Sequence, residues 1–113
     1  MPVLGGSDGG LYTCAEDLDR LWRALFAGRI LSESMLQAFL KPWATRGAGR
    51  SYGLGVYRYG DGDNIAYYAV GGDFGVDFFT AYFPKQMISA SALGNTEVNT
   101  YPLLNALFSE TSM

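Results

Sequence analysis

Apolar positions recur with a helical period in the first third of the chain and with a strand period in the remainder. Leu18, Leu21, Trp22, Leu25 and Phe26 fall at i, i+3, i+4, i+7 and i+8, one continuous stripe that predicts an amphipathic helix. Thr13-Cys14-Ala15-Glu16 ahead of it has the form of a capping box, with the Thr13 hydroxyl facing the third helical amide and Glu16 reaching back, and Gly28 supplies the stop. A second start follows at Ser32-Glu33, and the stripe Met35, Leu36, Phe39, Leu40 runs until Pro42 forbids continuation. Residues 43 to 51, which include Arg46, Gly47, Gly49 and Arg50, lose all periodicity and read as a flexible loop.

From there the period is two. Tyr52 to Tyr59 and Ile65 to Val70 predict strands joined through Gly60-Asp61-Gly62-Asp63, a first hairpin. Gly75 to Phe83 and Met87 to Leu93 predict two more, joined by Pro84-Lys85-Gln86. The third strand is apolar on both faces, Val76, Phe78 and Tyr82 on one and Phe79, Ala81 and Phe83 on the other, so both faces of the sheet require cover. A closing helix from Tyr101 or Pro102 to about residue 110 would bury Leu103, Leu104, Leu107 and Phe108. The predicted class is α+β: two helices (residues 11–42), a four-stranded antiparallel meander (52–95) and a C-terminal helix (101–110) packed on the sheet, behind a glycine-rich, flexible leader at residues 1–10.

Composition narrows the function. With 113 residues, 49% of them hydrophobic, one core is expected, and residues 11–113 read as one unit. Eight basic against eleven acidic residues, with no basic run, argue against nucleic acid. No apolar stretch is long enough for a membrane span and the N-terminus lacks a secretory pattern, so the chain as given reads as soluble. Cys14 stands alone and histidine is absent, which removes the commonest base, the commonest metal ligand and any Ser-His or Cys-His pair; no cofactor or metal is expected. Asp61 and Asp63 lack the twelve-residue calcium pattern, and Asp73 and Asp77 suit turn or capping roles better than acid–base work. Trp22, Trp43 and the tyrosines at 52, 57, 59, 67 and 68 read as core and cross-strand residues, with Tyr52 and Trp43 the weakest fits.

The run Gly9-Gly10-Leu11-Tyr12-Thr13-Cys14-Ala15-Glu16-Asp17-Leu18 resembles the glycine-pair, Thr-Ala-x-Asp-Leu helix start of β-lactamase and penicillin-binding-protein-like serine hydrolases. The order continues: Ala27-Gly28-Arg29-Ile30-Leu31-Ser32, a helix stopping at proline, then Tyr52-Gly53-Leu54-Gly55 for the family's Tyr-Gly-x-Gly strand, and a frame from Tyr68 to Asn95 that fits its motif-bearing strand and long hairpin. The resemblance spans Gly9 to Phe108 and implies the C-terminal part of that fold.

It also implies chemistry that this chain lacks. Acyl transfer in the family needs a serine in Ser-x-x-Lys, where the lysine one helical turn on takes the hydroxyl proton. Lys41 and Lys85 are the only lysines and are preceded at that spacing by Ala38 and Tyr82, and no Tyr-x-Asn or Ser-x-Asn triplet occurs. The third element, Lys-Thr-Gly or His-x-Gly, falls on Ala69, Val70 and Gly71, and the resemblance would make the Gly72 amide one oxyanion-hole donor. No catalytic residue is therefore assigned. The expected partner is the missing N-terminal part of the fold or, through an exposed sheet edge, another copy. The alternative is a free-standing ligand-binding or interaction module with its face around Tyr52 to Phe74.

Overall fold

The computed structural model describes residues 11–47, 49–73, 75–96 and 100–111; the predicted leader lies outside them. Helix α1 covers Ala15–Phe26 and buries Leu18, Trp22 and Leu25, with Leu21 half-exposed at the rim of the stripe. The capping box does not form. The helix starts one residue later than the motif requires, so Cys14 is the N-cap and makes no side-chain bond, while Glu16 faces Arg20 on the surface. The C-terminal stop is as expected: Gly28 takes φ +78° and the Arg29 amide returns to the Ala24 carbonyl at 3.0 Å. Helix α2, Glu33–Leu40, starts where the Ser32 hydroxyl accepts from the Met35 amide at 3.3 Å, and buries Leu36 and Leu40.

The sheet has six strands, not four. They are β1 (Ala44–Gly47), β2 (Arg50–Tyr52), β3 (Tyr57–Tyr59), β4 (Ala66–Asp73), β5 (Val76–Phe83) and β6 (Ile88–Gly94), each antiparallel to the next in chain order. The predicted loop at 43–51 contains the β1–β2 hairpin, whose glycines 47 and 49 take φ +80° and +75°. Its polar residues carry no alternation because β1 covers nothing; pairing with the next strand, not burial, holds it. The predicted strand Tyr52–Tyr59 is broken by a second turn. Gly55 takes φ +108°, the Gly53 amide donates to the Val56 carbonyl at 2.7 Å, and a Cβ at Gly53 would lie 2.5 Å from the Phe39 carbonyl oxygen. The Tyr-Gly-x-Gly segment is thus a turn pressed against α2.

Both sheet faces are covered, as the apolar β5 required. On one, Trp22, Leu25, Leu36 and Leu40 of the two helices pack with Val56, Tyr67 and Tyr82. On the other, Leu104 and Phe108 of α3 (Tyr101–Thr111) pack with Ala66, Tyr68, Phe79, Ala81 and Phe83. Leu103, expected inside, points outward at 60% exposure. Asp77 fixes the start of α3 by accepting from the Thr100 amide at 2.7 Å, while Thr100 offers its carbonyl to the Leu103 and Leu104 amides. Arg50 clasps the same helix to the sheet, donating to the Tyr68 hydroxyl and to Asn105 at 3.2 Å each.

Candidate functional site

Strand β4 carries Ala69, Val70 and Gly71, to which the resemblance would assign the third motif, and its pairing is uneven. On the β5 side it is matched along its length, Tyr67 opposite Tyr82 through Asp73 opposite Val76. On the β3 side only Ala66, Tyr67 and Tyr68 have partners. Ala69, Val70, Gly71, Gly72 and Asp73 therefore form a half-open edge among the described residues. Broken pairing at the Gly53–Val56 turn shortens β3 and leaves that edge bare.

Alternation along β4 assigns the side chains. Ala69 and Gly71 follow Tyr67 onto the α1–α2 face, and Val70 packs with the α3 cluster. Ala69, Val70 and Gly71 are partly exposed and Gly72 is exposed. The side opposite Ala69 belongs to Thr80, whose hydroxyl accepts from Trp22 Nε1 at 2.8 Å and shares a 2.8 Å hydrogen bond with Ser91. The hydroxyl nearest to Ala69 by register is thus held in a buried network of structural groups. Gly71 faces Phe78, whose ring occupies the place of a side chain: a Cβ at Gly71 would meet Phe78 Cε1 at 2.5 Å. The motif face consequently presents a methyl group, a bare backbone and an aromatic ring, with no group that titrates near neutrality.

The remaining candidates have structural roles. Asp77 tethers α3, its carboxylate accepting from the Thr100 amide. Asp61 precedes and Asp63 lies within a one-turn 3₁₀ segment, Gly62–Asn64, in the β3–β4 connection. Among the described residues no three His, Cys, Asp or Glu side chains gather into a metal-binding group, and Cys14 is exposed. Lys41 sits over the Trp43 ring, 4.5 Å from its centroid. Trp22, Tyr67 and Tyr68 are core residues, whereas Trp43 and Tyr52 are exposed, as their weaker spacing indicated. Burial pushes the Tyr67 hydroxyl above its ordinary range, a shift that nearby Arg58 opposes.

Two open clefts lie near this face without including residues 69–72. One, of about 290 Å³, is lined by Gln37, Leu40, Lys41, Pro42, Arg58 and Tyr67. The other, about 370 Å³, continues past Pro42 and Arg58 to Thr45, Arg50 and Asp61. The Trp22–Thr80–Ser91 network escaped the sequence reading; its only trace there is the hydroxyl residues Thr80 and Ser91 on two mostly apolar strands.

No protein-family model matches the chain, and no curated protein matches it. Among solved structures, a penicillin binding protein from Bacillus halodurans superposes with a TM-score of 0.87 at 34% identity, over 96% of this chain and 34% of that one. The chain spans about a third of the length of that protein. Over nearly all its own residues, then, it is similar in fold and in sequence to one segment of a penicillin binding protein, and it has a penicillin-binding-protein-like α+β fold.

Proposed function

We propose that this chain is the C-terminal segment of a β-lactamase-like serine hydrolase fold, a scaffold that supplies the motif-bearing strand while the acylating residues reside in the remainder of the fold. The observation that carries this reading is the half-open edge at Ala69–Asp73, in a chain whose fold matches a penicillin binding protein along 96% of its length. Acylation needs a nucleophile, a base to take its proton and donors aimed at the developing oxyanion. Here the position equivalent to the motif's lysine or histidine is Ala69, which neither holds a proton nor carries charge. By itself the chain is a non-catalytic partner of the missing portion, and a parent enzyme carrying Ala69 works without a cation at that point.

The coding region immediately upstream of Met1 tests the segment reading. A continuous frame encoding Ser-x-x-Lys followed by Tyr-x-Asn supports it. A frame without either motif, or none at all, overturns it in favour of a free-standing binding module. For that second reading the cleft lined by Lys41, Arg58 and Tyr67 is the structural basis.

A further inference from the structure

Four polar side chains stand in one row across the first four strands. Thr45 of β1 lies opposite Ser51 of β2, Ser51 opposite Arg58 of β3, and Arg58 opposite Tyr67 of β4. Directly opposite residues share a face, and Tyr67 packs with α1 and α2, so the row lies on the helix-bearing face of these strands. The alternate positions Tyr57, Tyr59 and Tyr68 pack with α3 instead. Arg58 is in the middle of the row, with a hydroxyl residue one strand spacing, about 4.8 Å, to either side. The two clefts meet along it: Arg58 lines both, Lys41 and Tyr67 the first, Thr45 and Ser51 the second.

The groups in this row are not engaged in holding the fold. Arg20 and Arg23 pair with carboxylates of α1, and Arg50 is bonded to Tyr68 and Asn105. Arg58, by contrast, is half-buried and makes no hydrogen bond or ion pair among the described residues. The Tyr67 hydroxyl has no bond among them either; since no buried side-chain oxygen there lacks a partner, this one opens to the cleft, and burial of the ring keeps it protonated and so a donor. Lys41 joins from the residue after α2, its ammonium held over the Trp43 ring. The carbonyls at that end of α2 do not meet an anion bare: Gln37 accepts from the Lys41 amide, Ala38 from Trp43 Nε1 and Phe39 from the Leu54 amide. Asp61, the one carboxylate lining the second cleft, forms no ion pair with Arg58 among the described residues.

Two cations with hydroxyl donors beside them select among anions. The guanidinium fork takes two oxygens in parallel, which uses both oxygens of a carboxylate but leaves a phosphate a third terminal oxygen for Ser51, Tyr67 or Lys41. A phosphate monoester carries about 1.5–2 negative charges at neutral pH, a match for Lys41 and Arg58 together. The clefts, about 290 and 370 Å³, extend from Arg58 to both sides and have room for the group that the phosphate carries. We propose that this face binds a small phosphate monoester, its phosphate seated on Arg58 between Ser51 and Tyr67 and neutralised by Lys41. This names a ligand class for the cleft on which the binding-module reading rests, and it requires nothing of the acylating chemistry, because every residue it uses falls within residues 41–67 of this chain.

Calorimetric titration of the chain with phenyl phosphate tests it, with benzoate and inorganic phosphate in parallel and circular dichroism to establish that each sample is folded. Saturable one-to-one binding of phenyl phosphate is expected, with benzoate and inorganic phosphate each weaker by at least about tenfold. Arg58→Gln should weaken the ester by at least about tenfold, and Arg58→Lys, which keeps the charge but loses the fork, by a smaller factor. Arg29→Gln, which removes an exposed arginine outside both clefts, should change it by less than about twofold. A second readout needs no variant: phenyl phosphate should shift the amide resonances of Ser51, Arg58 and Tyr67 in the unsubstituted chain and leave those of residues 101–111 in place. No saturable binding, equal affinity for benzoate, an unaffected Arg58→Gln or resonance shifts centred outside residues 41–67 overturns the proposal. Equal affinity for inorganic phosphate assigns the face to the free ion and overturns the ester. A failure on any of these counts leaves the upstream-frame test of the segment reading untouched.

Discussion

Gly71 and Phe78 depend on each other. The ring lies where a Cβ at residue 71 would be, 2.5 Å from its nearest carbon, so Gly71→Ala must displace an aromatic side chain or the strand beneath it. Overpacking of this kind costs about 1–3 kcal/mol, and urea denaturation should show a loss in that range for Gly71→Ala. Combined with Phe78→Ala, the added methyl has room, so the double-variant cycle should return most of the Gly71→Ala loss; simple additivity would contradict the contact. In the sequence Gly71 stood out only through the resemblance, as the last residue of the third motif. Its constraint arises from the β4–β5 register, which sets residue 71 against residue 78, and registers are long-range facts that a local pattern does not carry. That the Ala69 side chain holds no proton needs no register, being a property of the residue itself.

At the scale of elements, the helices were readable and half of the sheet was not. α1 and α2 announce themselves because each buries one face with a helical period, and β4, β5 and β6 because they are runs of apolar and strand-forming residues between turn signals. The β1–β2 hairpin buries little, and its glycines resemble those of a loop. That α3 packs on the sheet was legible, but the bond that fixes its start was not, since it comes from Asp77, twenty-three residues before the helix cap that it holds. Asp77→Ala removes a charge-assisted bond to a helix-terminal amide and should destabilise the chain by about 1–2 kcal/mol. The loss should be accompanied by faster amide exchange in residues 101–111 ahead of the rest; uniform loss of protection would count against the tether. α1 is bound to β6 through Asp19, whose carboxyl is held below its ordinary value of 3.8, chiefly by the Ser89 hydroxyl and then by Arg23. A carboxyl depressed in the folded state adds stability above its unfolded value, and that stability disappears as pH falls through the lower, folded value. Stability of the unsubstituted chain should therefore decline below about pH 4 more steeply than that of Asp19→Asn. Parallel acid profiles for the two would show that this carboxyl contributes nothing.

For the whole molecule, helices on both faces of an antiparallel sheet form a folded unit that reproduces about a third of a penicillin binding protein, leaving the upper half of β4 and the outer side of β6 open among the described residues. One of these edges carries Ala69, where the proposed function assigns the third motif and the residue supplies a methyl group; the other is the outer side of the last strand. The central claim is that the fold persists in this chain without the acylating chemistry, and intact-mass measurement after incubation with a fluorescent penicillin tests it most directly, with circular dichroism confirming that the sample is folded. The unmodified mass alone is predicted at every time and concentration. A stable adduct of one penicillin on the folded chain, lost on unfolding before incubation, would contradict it.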